Sequence, residues 1–123
     1  MTSFAPVAGT KLGRINGIAD GSAREFVFGA GRQAFSMLVV RANDRVRAYV
    51  NLCPHVALPL TYRSPSVVSE DGMRLRCSNH AAEFAIDDGC ALSGPVPPGS
   101  ALEVVPIHVD EHGAILVGPT AEE

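Results

Sequence analysis

The stretch Arg45-Val46-Arg47-Ala48-Tyr49-Val50-Asn51-Leu52 alternates apolar and polar side chains and then runs directly into Cys53-Pro54-His55. Val46, Ala48, Val50 and Leu52 fall on one face, and Arg45, Arg47, Tyr49 and Asn51 on the other. Successive strand side chains point to opposite faces, so this period of two predicts a strand buried on one side only. It also predicts that the strand delivers a thiol and an imidazole to the turn at its end.

Working outward, the same signal recurs along the chain. Residues 24–28 and 35–40 are rich in β-branched and aromatic side chains and are separated by Gly29-Ala30-Gly31-Arg32, as expected of strands joined by a tight connection. Asn43-Asp44 then turns the chain. Within residues 66–78, Glu70-Asp71-Gly72 reads as a hairpin turn, after which Met73, Leu75 and Cys77 alternate with Arg74, Arg76 and Ser78. Residues 83–86 and 90–92 flank Asp87-Asp88-Gly89, and residues 102–109 and 114–117 flank Asp110-Glu111-His112-Gly113. Between them, residues 93–100 carry Pro95, Pro97 and Pro98 and cannot be helical. No window holds a helical stripe of useful length, so about ten short strands predict an all-β sandwich or barrel-like stack of small antiparallel sheets.

Composition bounds the rest. At 123 residues, one domain spanning residues 1–123 is expected, with its core at about 9–117. Hydrophobic residues at 46% and charged residues at 19% exclude a disordered chain. Ten basic against thirteen acidic side chains give a net charge of -3 with no basic block, which leaves no electrostatic source for nucleic-acid binding. No stretch approaches the roughly 20 apolar residues of a membrane helix, and the N-terminus lacks a secretory pattern, so a soluble cytoplasmic protein is expected. Three cysteines do not make a disulfide framework.

The chemistry concentrates in Cys53-Pro54-His55 and Cys77-Ser78-Asn79-His80, each at the point where a strand enters a turn. A lone Cys is usually a small buried hydrophobe and a lone His a surface residue. Two turn-borne pairs, able to converge while the sheets beneath hold them, favour a metal centre. Two thiolates and two imidazoles suit either zinc or an iron-sulfur cluster. A structural zinc-binding interaction module is thus the alternative reading, although zinc sites favour Cys pairs separated by two to four residues.

The two motifs resemble those of the Rieske [2Fe-2S] proteins, with Cys-x-His in one loop and Cys-x-x-His in the other. The resemblance extends through Asn51-Leu52-Cys53-Pro54-His55, Pro59-Leu60, His80-Ala81-Ala82-Glu83-Phe84 and Gly89. It also takes in Gly94-Pro95 and Pro97, similar to the family's proline loop over the cluster. It implies a Rieske-like antiparallel β-sandwich with two cluster-binding loops. Cys53 and Cys77 would bind the inner iron and His55 and His80 the outer one, with Pro54, Leu60, Ala82, Phe84, Gly94 and Pro95 around them. It further implies a stand-alone ferredoxin, a carrier rather than an enzyme, taking one electron from a reductase and passing it to an oxygenase or related acceptor. Apolar Pro54, Val56, Leu58 and Pro95 would ring the exposed imidazoles. The second Cys that high-potential members carry in each loop is missing, and Ala82 and Phe84 stand where those members have Ser and Tyr. With fewer donors to a reduced, more negative cluster, a low potential is expected.

Other chemistry-bearing residues read as structural. Cys90 is expected to be a buried thiol. His108 and His112 lie across a strand end and a Gly turn, where their side chains should diverge at the surface. Asp87-Asp88 and Glu122-Glu123 fit a turn and a solvated tail, and Arg41, Arg45, Arg47, Arg74 and Arg76 fit exposed strand faces.

Overall fold

A computed structural model describes residues 6–29, 34–42, 45–52, 59–61, 67–69, 74–77, 82–93 and 99–118. Its centre is a three-stranded antiparallel sheet of β2 (Ser22–Phe28), β3 (Phe35–Ala42) and β4 (Arg45–Val50) in that order. Glu25 lies opposite Leu38, and Met37 opposite Val50. Two further antiparallel sheets flank it. β1 (Lys11–Arg14), β9 (Ala114–Val117) and β8 (Ile107–Val109) form one; β5 (Arg74–Arg76), β6 (Glu83–Ala85) and β7 (Ala91–Ser93) form the other. The single helical element among the described residues is a 3-10 turn, Ile15–Gly17.

The sequence of β3 explains the stacking. Met37, Leu38, Val39 and Val40 are all essentially inaccessible, so both faces of the strand are covered. Met37 and Val39 pack into one apolar core with Leu12, Val46, Ala48 and Ile115; Leu38 and Val40 pack into a second with Leu75, Phe84 and Ile86. Fully burying such a side chain stabilises by about 1.5–3 kcal/mol, which makes this four-residue apolar run the axis of the molecule.

The alternation read in β4 is correct, but its polar face is not solvated. Tyr49 is 1% exposed and Asn51 2%, whereas Leu52, assigned to the inner face, is 45% exposed. The second core covers Tyr49, and polar partners on β2, β3 and residues 60–61 enclose Asn51. β4 is also flanked along its free side: Val105 N–H donates to Ala48 O at 2.9 Å and Val50 N–H to Glu103 O at 2.8 Å. This uses residues 103–105 for edge pairing and leaves only Ile107–Val109 as a regular strand of the expected 102–109 run. The expected strand segment around 66–69 is likewise reduced to a bridge between Val68 and Leu75. β1 is not legible in the sequence: it is only four residues long, with Leu12 its one buried side chain, and its pairing with β9 is irregular between Lys11 and Gly13. Arg41, Arg47 and Arg74 are half-buried rather than exposed, and Arg41 Nη1 donates to the carbonyls of Ile15 and Ile18. No helix among the described residues is long and apolar enough to cross a membrane.

Candidate metal centre

β5 carries the second motif. Its N–H and C=O groups are engaged on both sides: by β6, and by the 67–69 segment through Arg76 N–H to Val67 O (2.7 Å) and Ser69 N–H to Arg74 O (2.8 Å). A strand so fixed must turn Leu75 and Cys77 to one face and Arg74 and Arg76 to the other. Leu75 and Cys77 are fully buried, while the two arginines meet the Glu83 carboxylate at 3.0 and 2.9 Å. Cys77 N–H then donates to Ala82 O at 2.8 Å, joining the two ends of the 78–81 segment.

The first motif is closed at its base in a different way. Leu52 N–H donates to Val50 O at 2.8 Å, a γ-type turn that ends β4 at Asn51. The Asn51 side chain reaches the far end of the segment: its Oδ1 accepts from Leu60 N–H at 2.8 Å, and its Nδ2 donates to Thr61 Oγ1 at 2.9 Å.

These two bases meet. Leu60, Cys77, Ala82 and Phe84 belong to one apolar core, each fully buried. A thiol in such a setting is positioned by packing rather than by solvent, and it is a sulfur donor for a soft or borderline metal. Ala82 and Phe84 offer no side-chain hydrogen-bond donor there. Cys53, Pro54, His55, His80, Gly94 and Pro95 lie outside the described residues, as do Val56 and Leu58. Among the described residues no three His, Cys, Asp or Glu side chains gather into a metal-sized group. The donor set of the sequence, two thiols and two imidazoles in two segments with pinned ends, fits the ligation of an iron-sulfur cluster.

Cys90 departs from expectation. It is exposed at the end of the β6–β7 turn, because Ala91 next to it packs against the core and turns Cys90 to the opposite face, while its backbone bridges to Ala101. Hydrogen bonding to the Asp88 carboxylate, and that group's charge, push its thiol pKa up. His108 is half-buried with Nδ1 2.8 Å from Gly118 O, whereas His112 lies in the exposed turn after β8. Sequence reasoning included Asn51 in the first motif but gave it no part in holding the ligand segment. What signals it is its place in that motif, a polar side chain two residues before Cys53 on the face taken to be solvated.

A family model described as "Rieske [2Fe-2S] domain" matches residues 12–106. No curated protein matches the chain. Among solved structures, the ferredoxin of carbazole 1,9a-dioxygenase from Nocardioides aromaticivorans IC177 is 22% identical with a TM-score of 0.70, covering 93% of this chain and all (100%) of that one. A chain from the complex of reduced oxygenase and oxidized ferredoxin in carbazole 1,9a-dioxygenase is 23% identical with a TM-score of 0.67, covering 89% and 100%. A Mycobacterium tuberculosis chain provisionally identified as the small subunit of an NADH-dependent nitrite reductase is 21% identical with a TM-score of 0.67, covering 94% and 99%. At these identities the likeness is one of fold.

Proposed function

Because the chain belongs to the Rieske [2Fe-2S] domain family, with a [2Fe-2S] cluster as its cofactor, we propose that it is a soluble cytoplasmic one-electron carrier. It takes an electron from a reductase and passes it to an oxygenase or related acceptor, and it is not itself an enzyme. Residues 1–123 form one domain with its core at about 9–117. Cys53 and Cys77 bind the inner iron through sulfur, and His55 and His80 bind the outer iron through one ring nitrogen each.

The bound cluster supplies reversible one-electron chemistry. The chain's own residues supply the seat. Hydrogen bonds at the base of each ligand segment restrict how far the four donors move between redox states, which keeps reorganisation small. Leu60, Ala82 and Phe84 exclude water from the cysteine side, and by resemblance to the family Pro54, Gly94 and Pro95 would lie around the cluster. The observation that carries this reading is the shared apolar core in which Leu60, from the end of one segment, joins Cys77 and Ala82, from both ends of the other.

Transfer to an oxygenase is supported by the fold's occurrence in the ferredoxin of carbazole 1,9a-dioxygenase and in its complex with oxygenase. The test is iron and acid-labile sulfide analysis with low-temperature EPR of the dithionite-reduced protein, followed by reoxidation with an oxygenase. A rhombic signal lost on addition of the oxygenase is expected. A colourless protein holding zinc, without labile sulfide after anaerobic reconstitution, overturns the assignment.

A further inference from the structure

Asn51 sits where β4 ends, two residues before Cys53, and is nearly inaccessible at 2%. Every polar atom of its amide is engaged. Oδ1 accepts from Leu60 N–H at 2.8 Å, while Nδ2 faces three oxygens: Thr61 Oγ1 at 2.9 Å, Ser36 Oγ at 3.1 Å and Glu25 Oε2 at 3.2 Å. Only one amide orientation suits this set, because a flip would set the NH2 group against Leu60 N–H. Its own N–H donates to Ser36 O at 2.9 Å, so the residue's backbone is fixed to β3 as firmly as its side chain is to residues 60–61.

The network continues outward. Ser36 Oγ donates to Glu25 Oε2 at 2.7 Å, and Glu25 lies on the exposed side of β2. A surface carboxylate therefore orients a buried amide, and that amide spans the base of the 53–58 segment. Aspartate keeps the acceptor but loses the donor and sets a second carboxylate beside Glu25; an apolar side chain leaves the Leu60 N–H, on a fully buried residue, without this acceptor.

We propose that Asn51 is a positioning residue for the cluster, fixing where the 53–58 segment presents Cys53 and His55, and that Glu25 holds Asn51 in register. This rests on the ligand reading given under Proposed function. It assigns to the middle sheet a part in setting cluster geometry, since the network connects the ligand segment to β2 and β3.

The experiment uses the full chain loaded with its cluster and compares wild type with Asn51→Asp, Glu25→Gln and the double substitution. Three quantities are followed: the rate of iron release to a chelator, the EPR g-values of the reduced protein and the thermal midpoint. Removing an outer partner of a ligand set commonly costs 10–100-fold in metal affinity, so Asn51→Asp is expected to release iron about tenfold faster or more, with shifted g-values. Glu25→Gln, at an exposed position, is expected to accelerate release about threefold without moving the midpoint. In the double substitution the new amide donates to the new carboxylate, and most of the loss is recovered. Wild-type g-values and release rates in both single variants overturn the proposal, as does a double variant no better than Asn51→Asp. A shifted midpoint with unaltered g-values assigns Asn51 a purely structural role and also overturns it. Wild-type protein without labile sulfide removes the ligand reading and this proposal together. If Asn51→Asp does not fold, Glu25→Gln decides alone.

Discussion

The phenolic hydroxyl of Tyr49 donates to the carbonyl of Ile86, joining β4 of the middle sheet to the turn after β6 of the sheet that bears Cys77. Gly89 lies against the same ring. Its φ is +77°, and a Cβ there would sit 2.8 Å from Tyr49 Cε1 and 3.3 Å from Leu102. Gly89→Ala therefore combines backbone strain with a clash against a side chain that has no room to retreat. A destabilisation of about 2–4 kcal/mol is expected in urea unfolding. Tyr49→Phe removes the bond, leaves the Ile86 carbonyl without that partner and should cost about 1–2 kcal/mol.

The same tyrosine gives an alkaline signature. Burial, opposed by the Arg47 charge and reinforced by Asp88, Asp87 and Cys90, pushes its pKa up from 10.0 to about 12. The neutral phenol is favoured in the folded state, so its contribution is complete below pH 10 and is lost as pH rises from 10 towards 12. Unfolding midpoints of wild type should fall through that window, and the fall should be shallower in Tyr49→Phe. Equal slopes in the two proteins would remove the tyrosine from the account.

Glu83 gives the opposite dependence. Hydrogen bonds from Arg76 and Ser93, then the charges of Arg74 and Arg76, hold its carboxyl below the usual range and connect β5, β6 and β7. With the folded-state pKa depressed, the contribution is present above the unfolded value and disappears as pH falls through the folded one. Glu83→Gln should be less stable than wild type at neutral pH, with the difference closing in acid. Urea midpoints measured against pH decide it, and a difference that persists in acid would mean that packing, not charge, is lost.

Strand alternation and turn residues were enough to read the hairpins of β2 with β3 and of β8 with β9, since local pairing leaves a local pattern. What the pattern does not carry is which faces other sheets cover. Tyr49 looks solvated by alternation and is buried in a core to which Leu75 and Phe84, more than twenty positions away, contribute; Asn51 is enclosed by its partners on β2, β3 and residues 60–61. Cys77 was legible as the inward end of a strand, because Leu75 sets the parity. Cys90 was not, since its exposure follows from Ala91 taking the core-facing position beside it.

Cys90 is exposed yet held in its thiol form by Asp88. The thiolate is the reactive species, so alkylation at neutral pH should be slower than that of a free thiol, and Asp88→Asn should accelerate it. Cys90→Ser is expected to leave the visible and EPR spectra of the loaded protein unchanged. Bleaching in that variant would give this thiol a part in cluster binding.

Ala82 and Phe84 set the final expectation, for the reduction potential. Both are fully buried beside Cys77 in the same apolar core, and neither side chain can donate a hydrogen bond to sulfur. Reduction adds a negative charge to the site, and donors aimed at that charge favour the reduced form. Their absence places the potential towards the lower end of the roughly -150 to +300 mV that Rieske centres span. A hydrogen bond to a charged group contributes about 1.5 kcal/mol or more, and in a one-electron couple that corresponds to a rise of about 65 mV or more. Ala82→Ser and Phe84→Tyr should each raise the potential by about that amount, and together by more. Protein-film voltammetry reads the shift directly. A wild-type potential near the top of the range, or hydroxyl variants that leave it unmoved, would mean that exposure and charge around the cluster, rather than donors on these two residues, set its redox properties.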